Sequence, residues 1–193
     1  MVYIFLADGF EEIEGLTVAD VLRRMKIDVK TVSVTGNRLI HGSHGIDLYA
    51  DSLFENENFD AGRFKEIQAL VLPGGLGGGK GTNMLMAHVG LKKLLAAFSS
   101  VNGLICAVCA APSVLGALGL LKGRKAICYP GFEDRLTGAE VTEKNVVEDG
   151  NIITSRGMGT SIEFALAIGA KIIGREAADD MADKIQFTYP LGM

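Results

Sequence analysis

The sequence predicts an α/β fold with a mostly parallel sheet and helices on both faces. Short apolar runs at residues 2–7, 69–72 and 104–108 have the length and composition of strands buried on both faces. Segments with apolar residues at helical spacing lie between such runs along the chain. Strands that alternate with helices in this way are typical of a parallel sheet with crossover helices.

Composition limits the possible classes of protein. The 193 residues suit one domain, spanning 1–193, and a content of 48% hydrophobic and 22% charged residues is ordinary for a globular protein. The net charge of −4 argues against nucleic acid or an anionic membrane surface as a partner. No apolar run approaches the roughly 20 residues that a membrane span needs, and the first residues lack the basic lead of a signal peptide. Three cysteines, an odd number, fit a reducing compartment, so we expect a cytoplasmic protein.

The remaining elements follow from periodicity and turn signals. A helix is predicted at 13–25, a strand at 29–34 and a short hairpin around 42–45. The segment 51–64 is polar and irregular, and one long helix is predicted at 83–98. In the second half we predict a helix from Ala111, a strand at 125–128, a hairpin around Asp149-Gly150, and helices at 162–173 and 176–185.

Cys109 lies where the apolar run 104–108 meets the helix that begins near Pro112. A residue on such a strand-to-helix turn is exposed at the carboxyl end of the sheet, as in a nucleophile elbow. Free backbone N–H groups and the helix dipole would favour the thiolate, the reactive form of cysteine. A buried structural cysteine is the alternative, because free cysteine is among the most buried residue types.

Glu14 differs from the other two carboxylates of the first helix turn. Glu11 and Glu12 fit favourable contacts with the helix dipole. Glu14 borders the apolar face of the helix, so its carboxyl would face the next strand end instead of water. If it meets Cys109, the two groups should share one proton and titrate as a unit. We expect that proton on Glu14 and a depressed pKa for Cys109 alone among the cysteines.

Two other motifs do not carry the function that they first suggest. The glycine-rich segment 74–82 lacks the Ser or Thr directly after Gly-Lys that a phosphate loop needs, because Gly81 is there. We expect instead a loop whose glycines let it approach another strand end. Cys106 and Cys109 form a C-x-x-C pair, but Cys106 lies within the strand, too far for a disulfide. A single such pair is also poor evidence for zinc, so we assign no metal site.

Four motifs in order resemble the ThiJ/PfpI superfamily, and most closely the bacterial members of its DJ-one (parkinsonism-associated protein) branch. They are Gly9-Phe10-Glu11-Glu12-Ile13-Glu14, Leu72-Pro73-Gly74-Gly75, Ala107-Val108-Cys109-Ala110-Ala111-Pro112 and Thr154-Ser155-Arg156-Gly157-Met158-Gly159-Thr160. The resemblance implies a flavodoxin-like α/β/α sandwich and a homodimer. It implies that Cys109 is the nucleophile, that Glu14 hydrogen-bonds its sulfur, and that the N–H groups of Gly75 and Ala110 form an oxyanion site.

The chain also departs from the family pattern. The protease-like branch has a histidine directly after the nucleophile, where this chain has Ala110, so peptidase activity is not expected. Of the pair of arginines that bind anions in the family, Arg156 is kept and the other position falls on His44. Animal members have a histidine after the next strand, where this chain reads Cys128-Tyr129-Pro130-Gly131.

The resemblance and the chemistry of these groups together predict a glutathione-independent glyoxalase or deglycase. Its substrates would be small 2-oxoaldehydes such as methylglyoxal, or early glycation adducts, and no cofactor is required. The alternative from another class is a redox sensor or redox-regulated chaperone, in which Cys109 is oxidised to sulfenic and sulfinic acid.

Overall fold

The computed structural model describes residues 1–75 and 79–188. The strands of the described part are β1 (Val2–Leu6), β2 (Val29–Ser33), β3 (Leu39–His41), β4 (Asp47–Tyr49), β5 (Ser52–Leu53), β6 (Ala69–Leu72), β7 (Ile105–Val108), β8 (Lys125–Ala126), β9 (Glu140–Val141), β10 (Val146–Asp149) and β11 (Ile152–Ser155). The α-helices are α1 (Glu12–Arg24), α2 (Thr82–Ala87), α3 (Val89–Ser100), α4 (Pro112–Ala117), α5 (Ser161–Ile173) and α6 (Arg175–Lys184).

The main sheet has the strand order β10-β11-β7-β6-β1-β2-β5. Its neighbouring strands are parallel except β10 and β11, which form the predicted antiparallel hairpin. The order of the chain reverses between β1 and β6, since β2 follows on one side of β1 and β6 lies on the other. In open α/β sheets, ligands bind outside the carboxyl ends of the strands at such a reversal. The fold therefore points to the segments that follow β1, β6 and β7.

A hydrophobic core fills each face of the sheet. Because side chains alternate along a strand, Ile4 and Leu6 of β1 pack with α1, α5 and α6, whereas Phe5 packs on the other face with α3 and α4. This arrangement gives three layers, helix on sheet on helix, as predicted. None of the helices in the described residues is long and apolar enough to span a membrane.

The structure corrects three details of the predicted elements. The single helix predicted at 83–98 is two helices, α2 and α3, which meet at His88. The segment 51–64 contains a two-residue edge strand, β5, beside 3₁₀ turns at Phe54–Asn56 and Ala61–Glu66. The strand predicted at 125–128 is only β8, and it pairs with β9 in a separate small sheet.

Candidate active site

Cys109 follows β7 directly and has a left-handed backbone conformation, with φ of 63°. This conformation is strained for a residue with a Cβ and persists only where the surroundings hold it. Two hydrogen bonds do so here: the N–H of Cys109 donates to the Ser155 carbonyl at 3.0 Å, and the N–H of Tyr129 donates to the Cys109 carbonyl at 2.8 Å. The side chain is thereby fixed at the carboxyl edge of the sheet, between β7 and α4.

Gly74 and Gly75 allow the segment after β6 to approach this turn closely. A Cβ on Gly74 would lie 2.6 Å from the Cβ of Cys109 and 2.7 Å from Oε2 of Glu14. Gly75 has φ of 136°, and a Cβ there would collide with the Gly9 carbonyl oxygen. Glycine is therefore required at both positions, because any side chain would force the segment away from the thiol.

Glu14 is fully buried, with 0% of its surface exposed, as its place on the helix predicted. The N–H of Gly74 donates to Oε2 at 2.8 Å, while Oε1 has no hydrogen-bond partner in the described part of the chain. Burial raises the pKa of Glu14 to about 7, against the opposing effects of the Gly74 N–H and of a hydrogen bond with Cys109. A carboxyl with this pKa exchanges protons near neutral pH, as a general acid or base must.

The pKa of Cys109 moves in the direction opposite to our prediction. Burial raises it first, and the charge and hydrogen bond of the Glu14 carboxylate raise it further, while a hydrogen bond from the Ala110 N–H lowers it. Burial also raises the pKa of Cys106 and Cys128, so no cysteine has a depressed value. Two anions side by side in a buried site are unfavourable, so we still expect one shared proton. The shifts place that proton on the sulfur of Cys109, beside a Glu14 carboxylate, and not on Glu14 as we expected.

A cavity of about 540 Å³ opens over these two groups. Its lining comes from several segments at the carboxyl edge of the central strands: Gly9, Glu11, Glu14, His41, Gly42, Ser43, His44, Gly75, Lys80, Cys109, Tyr129 and Met158. Cys109 is 6% exposed, and Cys106 is fully buried in the core as predicted. The cavity therefore gives a small molecule access to the thiol of Cys109 and to the carboxyl of Glu14.

The proposed oxyanion donors lie beside the thiol. Ala110 follows Cys109 directly, and its N–H donates to the sulfur. Gly75 lines the cavity, and its carbonyl accepts a hydrogen bond from the Thr82 N–H at 3.3 Å. Among the described residues, no backbone carbonyl accepts a hydrogen bond from the N–H of Gly75 or of Ala110. Both donors are thus free of backbone partners. The oxyanion role itself stays a prediction.

His44 and Arg156 are not brought together. The side chain of His44 is 70% exposed and lines the Cys109 cavity of its own chain, with its Nδ1 at 3.1 Å from Oε2 of Glu12. Arg156 is exposed and does not contribute to the lining of the cavity. A joint anion site of these two residues is not formed within one chain, and it stays a prediction for the dimer.

Glu11, Glu12 and His44 form the one cluster in the described residues with donor atoms suited to a metal, within 4.8 Å of one another. The oxygens of Glu12, however, already accept hydrogen bonds from the His44 N–H at 2.6 Å and the Ser43 hydroxyl at 2.9 Å. These bonds hold the pKa of Glu12 down at about 2 despite its burial. The cluster works as an anchor for the loop 42–46, and we assign no metal to it.

Sequence reasoning missed several residues of this site. The sequence assigns Glu12 only favourable contacts with the helix dipole, yet its side chain is buried and holds a loop that lies 32 positions further along the chain. Lys80, Tyr129 and Met158 line the cavity without any spacing signal that links them to Cys109. Of the glycine-rich segment, residues 76–78 lie outside the described residues. Gly75 and Gly81 confirm the expected close approach, since a Cβ on either would clash with the Gly9 carbonyl oxygen.

Comparison with known proteins agrees with this geometry. A model of the DJ-1/PfpI family matches residues 1–171. The chain belongs to the DJ-1/PfpI family. Protein dj-1beta of Drosophila melanogaster is 36% identical over 188 residues, covering 96% of this chain and 96% of that protein. A deglycase of Pyrococcus abyssi is 31% identical over 157 residues, covering 80% of this chain and 89% of that protein.

Solved structures of DJ-1 proteins share the fold. A DJ-1 superfamily protein from Salmonella typhimurium superposes with a TM-score of 0.87 at 33% identity, over 97% of this chain and 98% of that one. Oxidized Toxoplasma gondii DJ-1 gives a TM-score of 0.87 at 30% identity, over the same shares of the two chains. The predicted flavodoxin-like sandwich with a mostly parallel sheet is therefore confirmed, and so is the family.

Proposed function

We propose that this DJ-1/PfpI protein is a cysteine-dependent, glutathione-independent glyoxalase or deglycase that acts on 2-oxoaldehydes or early glycation adducts. The observation that carries the proposal is the contact between the Cys109 thiol and the buried Glu14 carboxyl at the wall of an open cavity. A nucleophile beside a group that titrates near pH 7 is the arrangement that carbonyl attack followed by proton transfer needs.

The first step uses the proton that the two groups share. Above pH 7 the pair is one thiol beside one carboxylate. As the sulfur attacks the aldehyde carbon, the S–H proton moves to Glu14 and a carbon–sulfur bond forms. The resulting alkoxide lies where the N–H groups of Gly75 and Ala110 stabilise it. Glu14 then returns the proton to this oxygen, which gives a hemithioacetal and leaves Glu14 as a carboxylate.

Proton transfer between the two carbons then completes the chemistry. Glu14 removes the proton from C1 and passes it to the C2 oxygen, which gives an enediol. The same carboxyl then takes the hydroxyl proton from the C1 oxygen and delivers it to C2. The product is a thioester, and its hydrolysis by water releases a 2-hydroxy acid and restores the Cys109 thiol. C1 is oxidised and C2 is reduced within one molecule, so the reaction needs no external oxidant or reductant.

A lactate assay tests the proposal. Wild-type protein with methylglyoxal should give lactate, with a kcat/KM that rises with pH through about 7 as the pair loses its first proton. Both Cys109→Ala and Glu14→Gln should reduce kcat/KM by at least about a hundredfold, the range that acid–base catalysis contributes. Cys128→Ser, a buried thiol outside the cavity lining, is the matched control. Lactate formation by Cys109→Ala at the wild-type rate would rule the mechanism out.

The deglycase-named relative supports action on glycation adducts as well as free aldehydes. Both reactions begin with attack on the same carbonyl, so the geometry serves either. The redox-sensor alternative also uses Cys109, because it is the thiol among the three cysteines that lines the cavity. The raised pKa of Cys109 gives less support to a sensor, since oxidation proceeds through the thiolate.

A further inference from the structure

Lys80 is an unpaired cation in the wall of the candidate active site. Its side chain lines the cavity that contains Cys109 and Glu14. Within the described residues the ammonium group of this side chain makes no hydrogen bond and no ion pair. The catalytic steps proposed above do not use it.

The two histidine side chains of the cavity already have carboxylate partners. His44 pairs with Glu12 and lies 3.4 Å from Glu11, and these carboxylates raise its pKa. His41 Nδ1 lies 2.9 Å from Oδ1 of Asp47. Among the described residues that line the cavity, Lys80 is thus the basic side chain that has no carboxylate partner.

The backbone at Lys80 is held firmly at this place. The N–H of Gly81 donates to the Asp8 carbonyl at 2.6 Å, which ties the segment to the end of β1. A Cβ on Gly9 would lie only 2.7 Å from the Cβ of Lys80, so the lysine stem packs directly over that glycine. The ammonium group is therefore the end of a flexible stem whose base is fixed at the cavity.

We propose that Lys80 binds a carboxylate of the substrate, so that the site prefers 2-oxoaldehydes that carry a carboxylate over neutral ones. The proposal rests on the proposed function for the identity of the reacting carbonyl. Glu11 lines the same cavity and repels an anionic group. A substrate with an aldehyde at one end and a carboxylate at the other is therefore bound in one orientation, with its charged end at Lys80.

Alkylation of Cys109 measures this charge without any turnover. Iodoacetate is anionic and iodoacetamide is neutral, and the sulfur of Cys109 displaces iodide from both. The ratio of their alkylation rates at Cys109 therefore measures whether the cavity attracts or repels an anion. In Lys80→Met the iodoacetate-to-iodoacetamide ratio should fall about three- to tenfold at low salt, as expected for the loss of one charge from a partly aqueous cavity. The difference from wild type should shrink in 1 M KCl because salt screens the charge.

Two variants control the measurement. Lys80→Arg keeps the charge and should retain a ratio close to that of wild type. Lys65→Met removes a lysine from a different surface groove and should leave the ratio unchanged. An unchanged ratio in Lys80→Met, or an equal fall in Lys65→Met, overturns the proposal.

Substrate preference provides the second readout. The ratio of kcat/KM for 4,5-dioxopentanoate, a 2-oxoaldehyde with a carboxylate, to that for methylglyoxal should exceed one in wild type and fall at least threefold in Lys80→Met. A preference that Lys80→Met leaves intact overturns the substrate assignment. If wild type turns over neither compound, the proposed function fails, while the alkylation ratio still decides whether Lys80 attracts an anion to this site.

Discussion

At the residue scale, Glu14 controls the thiol by its charge. Its carboxylate raises the pKa of Cys109 through repulsion and through a hydrogen bond to the thiol. The protein therefore holds the proposed nucleophile as a thiol beside a base. In the proposed mechanism the sulfur becomes anionic only as its proton moves to Glu14, which accepts that proton at the moment of attack.

Replacing Glu14 with glutamine should separate thiol reactivity from catalysis. Glu14→Gln removes the charge and offers an amide donor to the sulfur, so the pKa of Cys109 should fall and iodoacetamide should alkylate it faster at pH 8. Lactate formation should be lost in the same variant. Glu11→Gln should shift the alkylation profile in the same direction but less, because Glu11 contributes a smaller repulsion. A Cys109 pKa that rises in Glu14→Gln would contradict this account of the pair.

The sequence predicts that Cys109 and Glu14 lie together, but it does not predict the direction in which the pKa of Cys109 shifts. The position of Cys109 between an apolar run and Pro112, and of Glu14 beside an apolar helix face, is readable from spacing. The burial of the thiol and the carboxyl cannot be predicted from spacing, because it depends on the close approach of Gly74, which follows another strand. Burial outweighs the Ala110 N–H, so the pKa of the thiol rises where helix geometry alone predicts a fall.

At the scale of elements, Glu12 joins α1 to the loop between β3 and β4. Its Oε1 accepts the His44 N–H at 2.6 Å and the Ile46 N–H at 3.4 Å. Because the pKa of Glu12 is about 2 in the fold and 4.5 unpaired, its stabilising effect is present above pH 4.5 and is lost as the pH falls towards 2. The loop that carries Ser43 and His44 into the cavity is therefore held in place throughout the neutral range.

Hydrogen exchange checks this anchor. Glu12→Gln keeps the shape of the side chain but replaces charge-assisted hydrogen bonds with weaker ones. Exchange at the His44 and Ile46 amides should become on the order of tenfold faster, while amides of β7 remain protected. Glu11→Gln is the matched control, because Glu11 accepts no hydrogen bond from either amide. Equal exchange in the two variants would show that Glu12 does not hold the loop.

The boundary between α2 and α3 at His88 could not be predicted from the sequence. Residues 83–98 keep a helical pattern without proline at the break. In the structure, Nδ1 of His88 accepts the Leu91 N–H at 2.9 Å and so caps α3. Histidine is not among the usual N-cap residues, so no start signal was visible. The central strands were predictable because each is a short apolar run, whereas β5 is a two-residue edge strand set by its pairing with β2.

At the scale of the whole molecule, α1 and the β3–β4 hairpin each expose large apolar side chains. Ile13 and Leu16 of α1 are exposed, as are Ile46 and Tyr49 at the hairpin. Large exposed apolar side chains on neighbouring elements are typical of a protein interface. We predict that these two surfaces form the contacts of the homodimer.

Sedimentation tests the dimer. Wild type at micromolar concentration should sediment at twice the 20.5 kDa chain mass. Tyr49→Lys should shift the equilibrium to monomer, because it places a charge in the apolar interface. Val141→Lys, at an exposed apolar residue of β9, should remain dimeric. A wild-type protein that sediments only as a 20.5 kDa monomer would exclude the arrangement.

The raised pKa values of all three cysteines make their thiols less ionised in the folded protein than in the denatured chain. An unfolded chain carries ordinary thiols with a pKa near 8.5, and so holds more thiolate at neutral pH than the folded protein does. Oxidants and alkylating agents should therefore damage newly made or heat-denatured chains before native ones. Folding therefore protects the three thiols of this protein from oxidation. A loss of stability should also increase the chemical modification of these thiols.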